Sequence, residues 1–256
     1  MPLEIVTVPC LADNYAYLAH DPATGQTAVV DVPDAAPIIE ALNARGWTAD
    51  TILLTHHHHD HVQGVPDMLE AFPLAEVIGA VADQNRMPPL DITLAEGDTV
   101  QVGQETGQVL DVSGHTVGHI AFYFPESAAL FSADSLMALG CGRLFEGTPE
   151  MMWESLSKMA ALPADTLVYS GHEYTASNAR FALTIEPENP DLVARAEDIR
   201  LKREANQPTV PASLELELKT NPFLRAGNSD VKASLGMGNA ADSSVFARIR
   251  AMKDAF

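Results

Sequence analysis

Five histidines and one aspartate stand within seven consecutive residues of this chain, in the segment Thr55-His56-His57-His58-His59-Asp60-His61. Neutral imidazole and carboxylate groups are ligands that divalent zinc, iron and manganese accept. The segment follows the apolar run 51–54, a strand candidate that would hold the ligands rigidly. This order of residues predicts a metal site.

Two other interpretations of the histidine run compete with a metal site. A purification tag is terminal and uninterrupted, whereas this run is internal and is broken by Asp60. A solvated loop is the stronger alternative, because short His-rich tracts also arise from composition alone. Against it stand three further ligand candidates, each just beyond an apolar strand candidate: His115, Asp134 and His172. Together with the loop they favour a metal site at one edge of a sheet.

The spacing within the loop suggests two ions. Along a loop that follows a strand, alternate residues tend to project to the same side. His56 and His58 are therefore expected to bind one ion, while Asp60 and His61 turn toward a second. Each ion would then be short of ligands, and the later strand ends must supply the rest.

The elements that must position these ligands are short strand candidates interleaved with helices over the first 170 residues, which predicts a layered α/β domain. Helices are expected at 35–45, 65–72 and 148–161. After Tyr174 the chain becomes rich in Ala, Glu, Arg and Leu at helical spacing. We therefore predict a metal-binding α/β domain at 1–172 and a helical region at 173–256.

Length and composition limit the class of protein. A chain of 256 residues can form one large domain or two smaller ones, and 46% hydrophobic with 20% charged residues excludes a disordered chain. No apolar run is long enough to cross a membrane. The first residues do not resemble a secretory signal, so a cytoplasmic location is expected. Cys10 and Cys141 are expected to be isolated buried thiols, although a single bridge stays open.

The net charge of −20 is unevenly distributed. Residues 1–179 contain 4 Lys and Arg against 24 Asp and Glu, whereas residues 180–256 contain 11 of each. An acidic surface repels the phosphate backbone, so nucleic acid is excluded as the expected partner. Some of the excess acids are expected to be neutralised by bound metal.

The chain resembles the metallo-β-lactamase superfamily in the pattern Thr-His-x-His-x-Asp-His, followed by a distant His, Asp and His after strands. Within it, the chain closely resembles the hydroxyacylglutathione hydrolase (glyoxalase II) family. The segments that carry this closer resemblance are 13–18 (DNYAYL), 114–119 (GHTVGH), 140–147 (GCGRLFEG), 169–175 (YSGHEYT) and 221–225 (NPFLR). The resemblance implies a four-layered αββα metallo-β-lactamase fold with a C-terminal helical region.

The resemblance also implies the metal ligands. One ion is held by His56, His58 and His115, and the other by Asp60, His61 and His172. Asp134 bridges the two ions. His57, His59 and His119 are not expected to be ligands. Zinc is the first choice for both ions, and iron or manganese would also suit this mixture of imidazole and carboxylate.

The implied reaction is hydrolysis of the thioester S-(2-hydroxyacyl)glutathione, typically S-D-lactoylglutathione, to glutathione and a 2-hydroxy acid in methylglyoxal detoxification. A hydroxide shared by two divalent ions would attack the thioester carbonyl. Asp60 and Asp134 are the catalytic candidates, Asp60 because it could also position the proton of that hydroxide. Other enzymes of this scaffold, a lactonase or a glutathione persulfide dioxygenase, are the alternatives. A nuclease or a non-catalytic metal-binding protein fits the sequence less well.

The glutathione part of the substrate requires cations. Arg250 and Lys253 stand three apart on one face of a predicted helix, and the resemblance implies that they bind a glutathione carboxylate. An ordinary solvated helix end is the competing interpretation of this pair. Arg143 and Tyr174 match further positions of the substrate groove. Phe145 stands where many relatives have tyrosine, which puts one hydrogen bond to glutathione in doubt.

Two expectations remain beside the ligand set. Asp31 ends the strand candidate 28–30 and either orients a metal-bound histidine through its second ring nitrogen or is a simple turn acid. The partner is expected to be a small-molecule glutathione thioester, with the chain acting as a monomer and without nucleic acid or membrane.

Overall fold

The computed structural model describes residues 1–256. The strands are β1 Glu4–Cys10, β2 Asn14–His20, β3 Thr27–Val30, β4 Thr51–Leu53, β5 Glu76–Ala80, β6 Ile92–Leu94, β7 Thr99–Val102, β8 Glu105–Asp111, β9 Ile120–Phe124, β10 Ala129–Ala133, β11 Leu136–Met137, β12 Gly140–Cys141, β13 Leu167–Ser170 and β14 Ala212–Ser213. The helices are α1 Ala35–Arg45, α2 His59–Val62, α3 Val65–Ala71, α4 Pro149–Ala160, α5 Thr175–Ile185, α6 Pro190–Glu204, α7 Leu214–Thr220, α8 Ser229–Ser234 and α9 Asp242–Asp254. A short 3-10 turn occupies Val81–Asp83.

The elements form two units that alternate along the sequence. One contains residues 1–112 and 117–133, and the other contains residues 113–116 and 134–256. We refer to them as the first and the second unit. The mixed α/β class with a C-terminal helical region is confirmed, because five helices follow β13. The proposed domain boundary at residue 172 rests on the change in sequence character and stays a prediction.

A six-stranded sheet in the order β1 to β6 forms the base of the first unit. β1, β2 and β3 are antiparallel, and β3 to β6 are parallel. Apolar side chains of α1 and α3 pack on the sheet, among them Ile38 and Met68 against Leu18, Ile52 and Val77. Because β3 and β4 are parallel neighbours, their carboxyl ends meet at one edge of the sheet.

A second sheet within the first unit is formed by the antiparallel strands β7, β8, β9 and β10. Every residue of β9 and β10 is buried. The rings of Tyr17 on β2 and Phe131 on β10 lie 5.6 Å apart, so side chains of the two sheets meet face to face. The amide of Ile120 at the start of β9 donates to the carbonyl of Thr55 at 2.9 Å. This bond attaches the histidine loop to the second sheet.

The second unit contains the remaining helices. Apolar side chains of α5 and α6 pack together around Ala182, Leu192 and Ile199. Glu217 on α7 is fully buried, accepts a hydrogen bond from the Leu139 amide at 2.9 Å and pairs with Arg195. No helix of the chain combines the length and the apolar character that a membrane crossing demands.

Candidate metal centre

The histidine loop begins one residue after β4 and ends in the single turn of α2. His56 and His61 are fully buried, whereas His58 and Asp60 are partly exposed. The rings of His56 and His58 lie 4.8 Å apart, and those of His56 and His61 lie 4.2 Å apart. The loop therefore gathers these three predicted ligands of the first unit at the carboxyl end of β4.

Asp31 lies at the neighbouring strand end and is bonded to this loop. Its Oδ1 accepts from the Thr55 amide at 2.9 Å, and its Oδ2 accepts from the Thr55 hydroxyl and lies 2.8 Å from Nδ1 of His61. Ligand-type atoms of Asp31, His56 and His61 all lie within 4.8 Å of one another. Of its two interpretations, the structure supports the orienting one, because a simple turn acid would not contact the second ring nitrogen of His61.

The backbone of Asp31 adopts a strained conformation. Its φ of 57° lies in the left-handed region, which is costly for a residue with a Cβ atom. Such strain persists only where the surroundings hold the residue in place, and it concentrates at functional sites. The three hydrogen bonds that the carboxylate accepts supply that restraint.

Asn14 performs a similar task for Asp60. Its buried amide donates to the backbone carbonyl of Asp60 at 3.1 Å and to Oδ2 of the same residue at 3.0 Å. Two bonds from one amide fix both the backbone and the carboxylate of Asp60. The carboxylate orientation is therefore set by the protein itself.

His57, His59 and His119, which we expect not to be ligands, all lie in the first unit. His57 pairs through Nδ1 with Asp83 at 3.0 Å. His119 stacks on His56 with ring centroids 4.5 Å apart, and its Nδ1 lies 3.1 Å from the Ile120 carbonyl. His59 is exposed.

The second unit holds the other three predicted ligands, and they converge on one carboxylate oxygen. Oδ2 of Asp134 lies 3.5 Å from Nε2 of His115 and 3.3 Å from Nε2 of His172. All three residues are buried. Ligand atoms about 2.1 Å from one tetrahedral ion are separated by roughly 3.4 Å, so this spacing suits a metal ion.

The backbone around this group is restricted. Ala133, directly before Asp134, has a φ of 40° in the left-handed region. At Gly142 a Cβ atom would lie 1.9 Å from the carbonyl oxygen of Asp134 and 2.8 Å from Nδ1 of His115. Only glycine fits there, because the chain of the β11–β12 hairpin passes directly against both residues.

The predicted substrate residues Arg143 and Tyr174 lie next to these ligands. Nδ1 of His115 lies 2.7 Å from the carbonyl oxygen of Arg143, and Phe145 contacts the His115 ring at 5.3 Å. The ring of Tyr174 stacks on His172 with centroids 4.6 Å apart and planes 5° from parallel. Phe145 and Tyr174 are 61% and 40% exposed, so both rings are accessible beside buried histidines.

Arg250 on α9 is buried, unlike a cation at a solvated helix end. It donates from Nη1 to the Cys141 carbonyl at 2.9 Å and from Nη2 to Asp254 at 2.8 Å. Its guanidinium lies 5.2 Å from the centre of the Phe223 ring. The same Asp254 oxygen lies 3.4 Å from Nε of Arg143, so one carboxylate pairs with both predicted substrate-binding arginines.

Lys253 is partly buried in the same region. Its Nζ donates to the backbone and side-chain oxygens of Ser177 at 3.3 Å each and lies 5.3 Å from the Phe181 ring. Burial, followed by the charges of Arg250 and Arg180, lowers the pKa of Lys253 to about 8. The lowered pKa shows that burial and nearby positive charges disfavour the charged form of Lys253, and an anion bound beside it would relieve this.

Both cysteines are free and buried, as predicted. Burial raises the pKa of the Cys141 thiol to about 11, with Arg250 opposing the shift. The thiol therefore stays protonated near neutral pH and is a structural neighbour of Arg250.

The side chains fit divalent metal ions. In His56, His61 and His115, Nδ1 faces a protein oxygen: the Thr55 hydroxyl at 3.0 Å, Asp31 at 2.8 Å and the Arg143 carbonyl at 2.7 Å. Imidazole ligands usually hydrogen-bond through one nitrogen while the other binds the metal. The same nitrogen is engaged in all three residues, which fits ligation through Nε2.

Comparison with known proteins agrees with this geometry. Residues 15–172 match the metallo-beta-lactamase superfamily, and residues 173–256 match the family described as hydroxyacylglutathione hydrolase C-terminus. The chain is 62% identical to a hydroxyacylglutathione hydrolase of Cereibacter sphaeroides over the whole of both chains. The chain belongs to the hydroxyacylglutathione hydrolase family. A hydroxyacylglutathione hydrolase of Jannaschia sp. is 64% identical over 99% of this chain and 98% of its own.

Solved structures confirm the predicted αββα metallo-β-lactamase fold for this member of the hydroxyacylglutathione hydrolase family. ETHE1 from Myxococcus xanthus matches with a TM-score of 0.67 and 24% identity, covering 100% of this chain and 99% of its own. TTHA1623 in a di-iron-bound form matches with a TM-score of 0.63 and 28% identity, covering 86% of this chain and all of its own. These structures show the predicted fold, and the hydroxyacylglutathione hydrolase relatives and family models show that the chain is a hydrolase.

Three residues that the sequence did not identify form hydrogen bonds or ion pairs with predicted site residues or their neighbours in this hydroxyacylglutathione hydrolase: Asn14, Asp254 and Asp83. Asn14 lies in a motif that carried the family resemblance, so its bond to Asp60 could have been sought there. Asp254 directly follows Lys253, and a search for acids one helical turn after Arg250 would have found it. Asp83 lies in no motif, and no sequence signal joins it to His57.

Proposed function

We propose that the chain hydrolyses S-(2-hydroxyacyl)glutathione, typically S-D-lactoylglutathione, to glutathione and a 2-hydroxy acid such as D-lactate, in methylglyoxal detoxification. The observation that carries this proposal is 62% identity over the full length to a hydroxyacylglutathione hydrolase, including the C-terminal region with its buried cations. In the reaction, water adds its oxygen to the acyl carbon and the carbon–sulfur bond breaks. The sulfur leaves as a thiolate, so no strong general acid is needed.

For the metal ligands we retain the predicted sets: His56, His58 and His115 for one ion, Asp60, His61 and His172 for the other, and Asp134 as the bridge. The convergence of His115 and His172 on one Asp134 oxygen supports the bridging role. Two divalent ions supply a nucleophile from water near neutral pH and polarise a carbonyl group. Zinc is our first choice, although the di-iron form of TTHA1623 keeps iron open for this fold.

The protein residues near these ligands would set their orientation and hold protons. Asp60 is the candidate for holding a proton of the attacking water, because Asn14 fixes the direction of its carboxylate. Asp31 fixes His61 in the tautomer that carries hydrogen on Nδ1. These bonds hold the ligands in place before substrate binds, which reduces the reorganisation needed for reaction.

For the substrate we propose Arg143, Tyr174, Arg250 and Lys253 as binding residues. Glutathione carries carboxylates, and an arginine can hold a carboxylate at two points. Lys253, with its pKa lowered to about 8, gains an anionic partner when a carboxylate binds. Phe145 offers an exposed ring without a hydroxyl and would contribute only apolar contact. The cytoplasmic location and the monomeric state stay predictions.

A combined metal and activity measurement tests this proposal. Purified protein is analysed for bound metals and then incubated with S-D-lactoylglutathione, following the loss of thioester absorbance. Two metals per chain together with thioester hydrolysis support the proposal. Two bound metals without hydrolysis would refute it and favour the lactonase, which is assayed in parallel with a lactone substrate.

Arg250→Ala in the same assay separates the substrate site from the metal site. We expect a raised KM and an unchanged metal content. An unchanged KM would refute the role of Arg250 in glutathione binding while leaving the hydrolase proposal intact. Arg248→Ala is the matched control, because this exposed arginine lies two residues away on the same helix.

A further inference from the structure

Asp83 is a fully buried carboxylate outside the predicted ligand set. It ends the short 3-10 turn Val81–Asp83 that follows β5. A buried carboxylate is costly unless its oxygens are paired. Both oxygens of Asp83 are engaged, and the partners come from different parts of the first unit.

The first partner of Asp83 is the histidine loop. Oδ2 lies 3.0 Å from Nδ1 of His57, whose side chain is 16% exposed. His57 stands between His56 and His58 in the chain, and the rings of His57 and His58 lie 5.0 Å apart. A restraint on the His57 ring therefore restrains the backbone between two predicted ligands of the same ion.

The second partner is Arg86. Its Nε donates to Oδ1 of Asp83 at 3.2 Å, and its Nη2 donates to the same oxygen. Nη2 also donates to the carbonyl of Val117 at 2.7 Å. Asp83 therefore links two partners, with Arg86 donating to Oδ1 and Nδ1 of His57 lying next to Oδ2.

The third neighbour is the backbone at Gly118. This residue has a φ of 108°, and a Cβ atom there would lie 2.5 Å from Oδ1 of Asp83. The segment 117–118 leads directly to His119, whose ring stacks on His56. Asp83 and Arg86 thus contact the neighbours of His56 on two sides, through the His57 side chain and through the 117–118 backbone.

We propose that Asp83 is a positioning residue for the ion assigned to His56 and His58, acting through His57 on one side and through Arg86 and Val117 on the other. It belongs to neither the proposed metal ligands nor the proposed substrate-binding residues. Its effect is to fix the loop geometry before the ion binds. The inference rests on the proposed metal sites and adds an orienting carboxylate to them.

The test is zinc binding by Asp83→Asn. The amide nitrogen of asparagine would face donors of Arg86 or His57, so one of the two links is lost while the shape is kept. Loss of an orienting partner typically weakens metal binding by about 10- to 100-fold, and because Asp83 acts through His57 we expect roughly tenfold. The apo chain is prepared with a chelator, checked for its folded spectrum and titrated with zinc against a chromophoric competitor.

Two further variants sharpen the result. Asp91→Asn is the matched control, because Asp91 is another aspartate of the first unit that accepts a hydrogen bond, from the Val77 amide of β5 at 2.9 Å. Arg86→Gln is the second probe, since this residue is 39% exposed in its side chain and tolerates replacement more readily. We expect one of the two zinc steps to weaken in Asp83→Asn and Arg86→Gln, and neither in Asp91→Asn.

The outcomes are distinct. Wild type that binds no zinc would refute the proposed metal sites. Wild type that binds two ions, with Asp83→Asn binding both at the same affinity, would refute only the role of Asp83. Equal weakening of both steps in folded Asp83→Asn would also refute it, because the effect would not be specific to one ion. If Asp83→Asn does not fold, unaltered zinc binding by Arg86→Gln overturns the inference.

Discussion

Asp31→Asn should weaken the binding of the ion assigned to His61 and leave the affinity for the other ion unchanged. The substitution preserves shape and can keep the bond from the Thr55 amide to Oδ1. The new amide nitrogen would face Nδ1 of His61, where the carboxylate now accepts a hydrogen bond at 2.8 Å. His61 must then either lose this bond or move its proton to Nε2, the nitrogen that we assign to the metal.

The magnitude follows from the bond to His61, because the Thr55 hydroxyl, which also donates to Oδ2, can turn and accept from the new amide nitrogen. A hydrogen bond to a charged group contributes about 1.5–3 kcal/mol, and His61 is fully buried, so water does not replace the lost acceptor. Since 1.4 kcal/mol corresponds to a tenfold change, the affinity for one zinc ion should fall by roughly 10- to 100-fold. The change in kcat should follow the loss of that ion.

The assay is a competition titration of apo protein with zinc, followed by turnover of S-D-lactoylglutathione at saturating and at limiting zinc. Asp50→Asn is the control, because Asp50 also accepts a hydrogen bond from a backbone amide. Its donor is Thr27, 2.8 Å away at the opposite end of β3. The reasoning is wrong if Asp31→Asn binds both ions with wild-type affinity. It is equally wrong if both steps weaken together in a folded chain.

Three further predictions address other parts of the chain. Asn14→Ala should lower kcat by about tenfold at unchanged KM, since the Asp60 carboxylate loses its fixed orientation; steady-state kinetics with zinc analysis checks this, and a normal kcat contradicts it. KM should rise with pH through about 8 as Lys253 loses its charge, and Lys253→Met should abolish that rise. Because the folded pKa lies below the unfolded value of 10.5, the unfolded chain binds more protons between about 8 and 10.5, and this group makes stability increase with pH there. Glu217→Ala should lower the free energy of unfolding by about 3–5 kcal/mol, because Arg195 stays buried without its carboxylate; urea unfolding would show less than 1 kcal/mol if this is wrong.

The ligand candidates could be sought in the sequence because each stands just beyond a strand candidate, and their role as ligands stays a prediction. The parallel pairing of β3 and β4 brings Asp31 and the histidine loop to the same edge, which follows from general rules of α/β sheets. The helix predicted at 148–161 is present as α4, because Thr148 caps it and Pro149 occupies its first turn. These features depend on local sequence or on neighbouring strands.

The residues that sequence did not reveal depend on distant contacts. Asp83 meets His57 from 26 residues away, and neither residue lies in a spacing that predicts the other. For Arg250 and Lys253, helical spacing predicted a shared face. It could not predict that Phe223 and Asp254 enclose Arg250, because that burial depends on the packing of several helices of the second unit.

The partners of the acidic side chains near the histidine loop agree with the proposed chemistry. Of the buried acids near the histidine loop, Asp31 is bonded to a hydroxyl, an amide and an imidazole, and Asp83 is paired with a guanidinium. The negative charges of Asp31 and Asp83 are therefore stabilised by partners within the protein. Only Asp60 and Asp134 would bring negative charge to two divalent ions, which leaves the proposed site positively charged. That excess would stabilise charge developing on a thioester oxygen, and the α9 cations that we propose for substrate binding would attract the carboxylates of the same substrate.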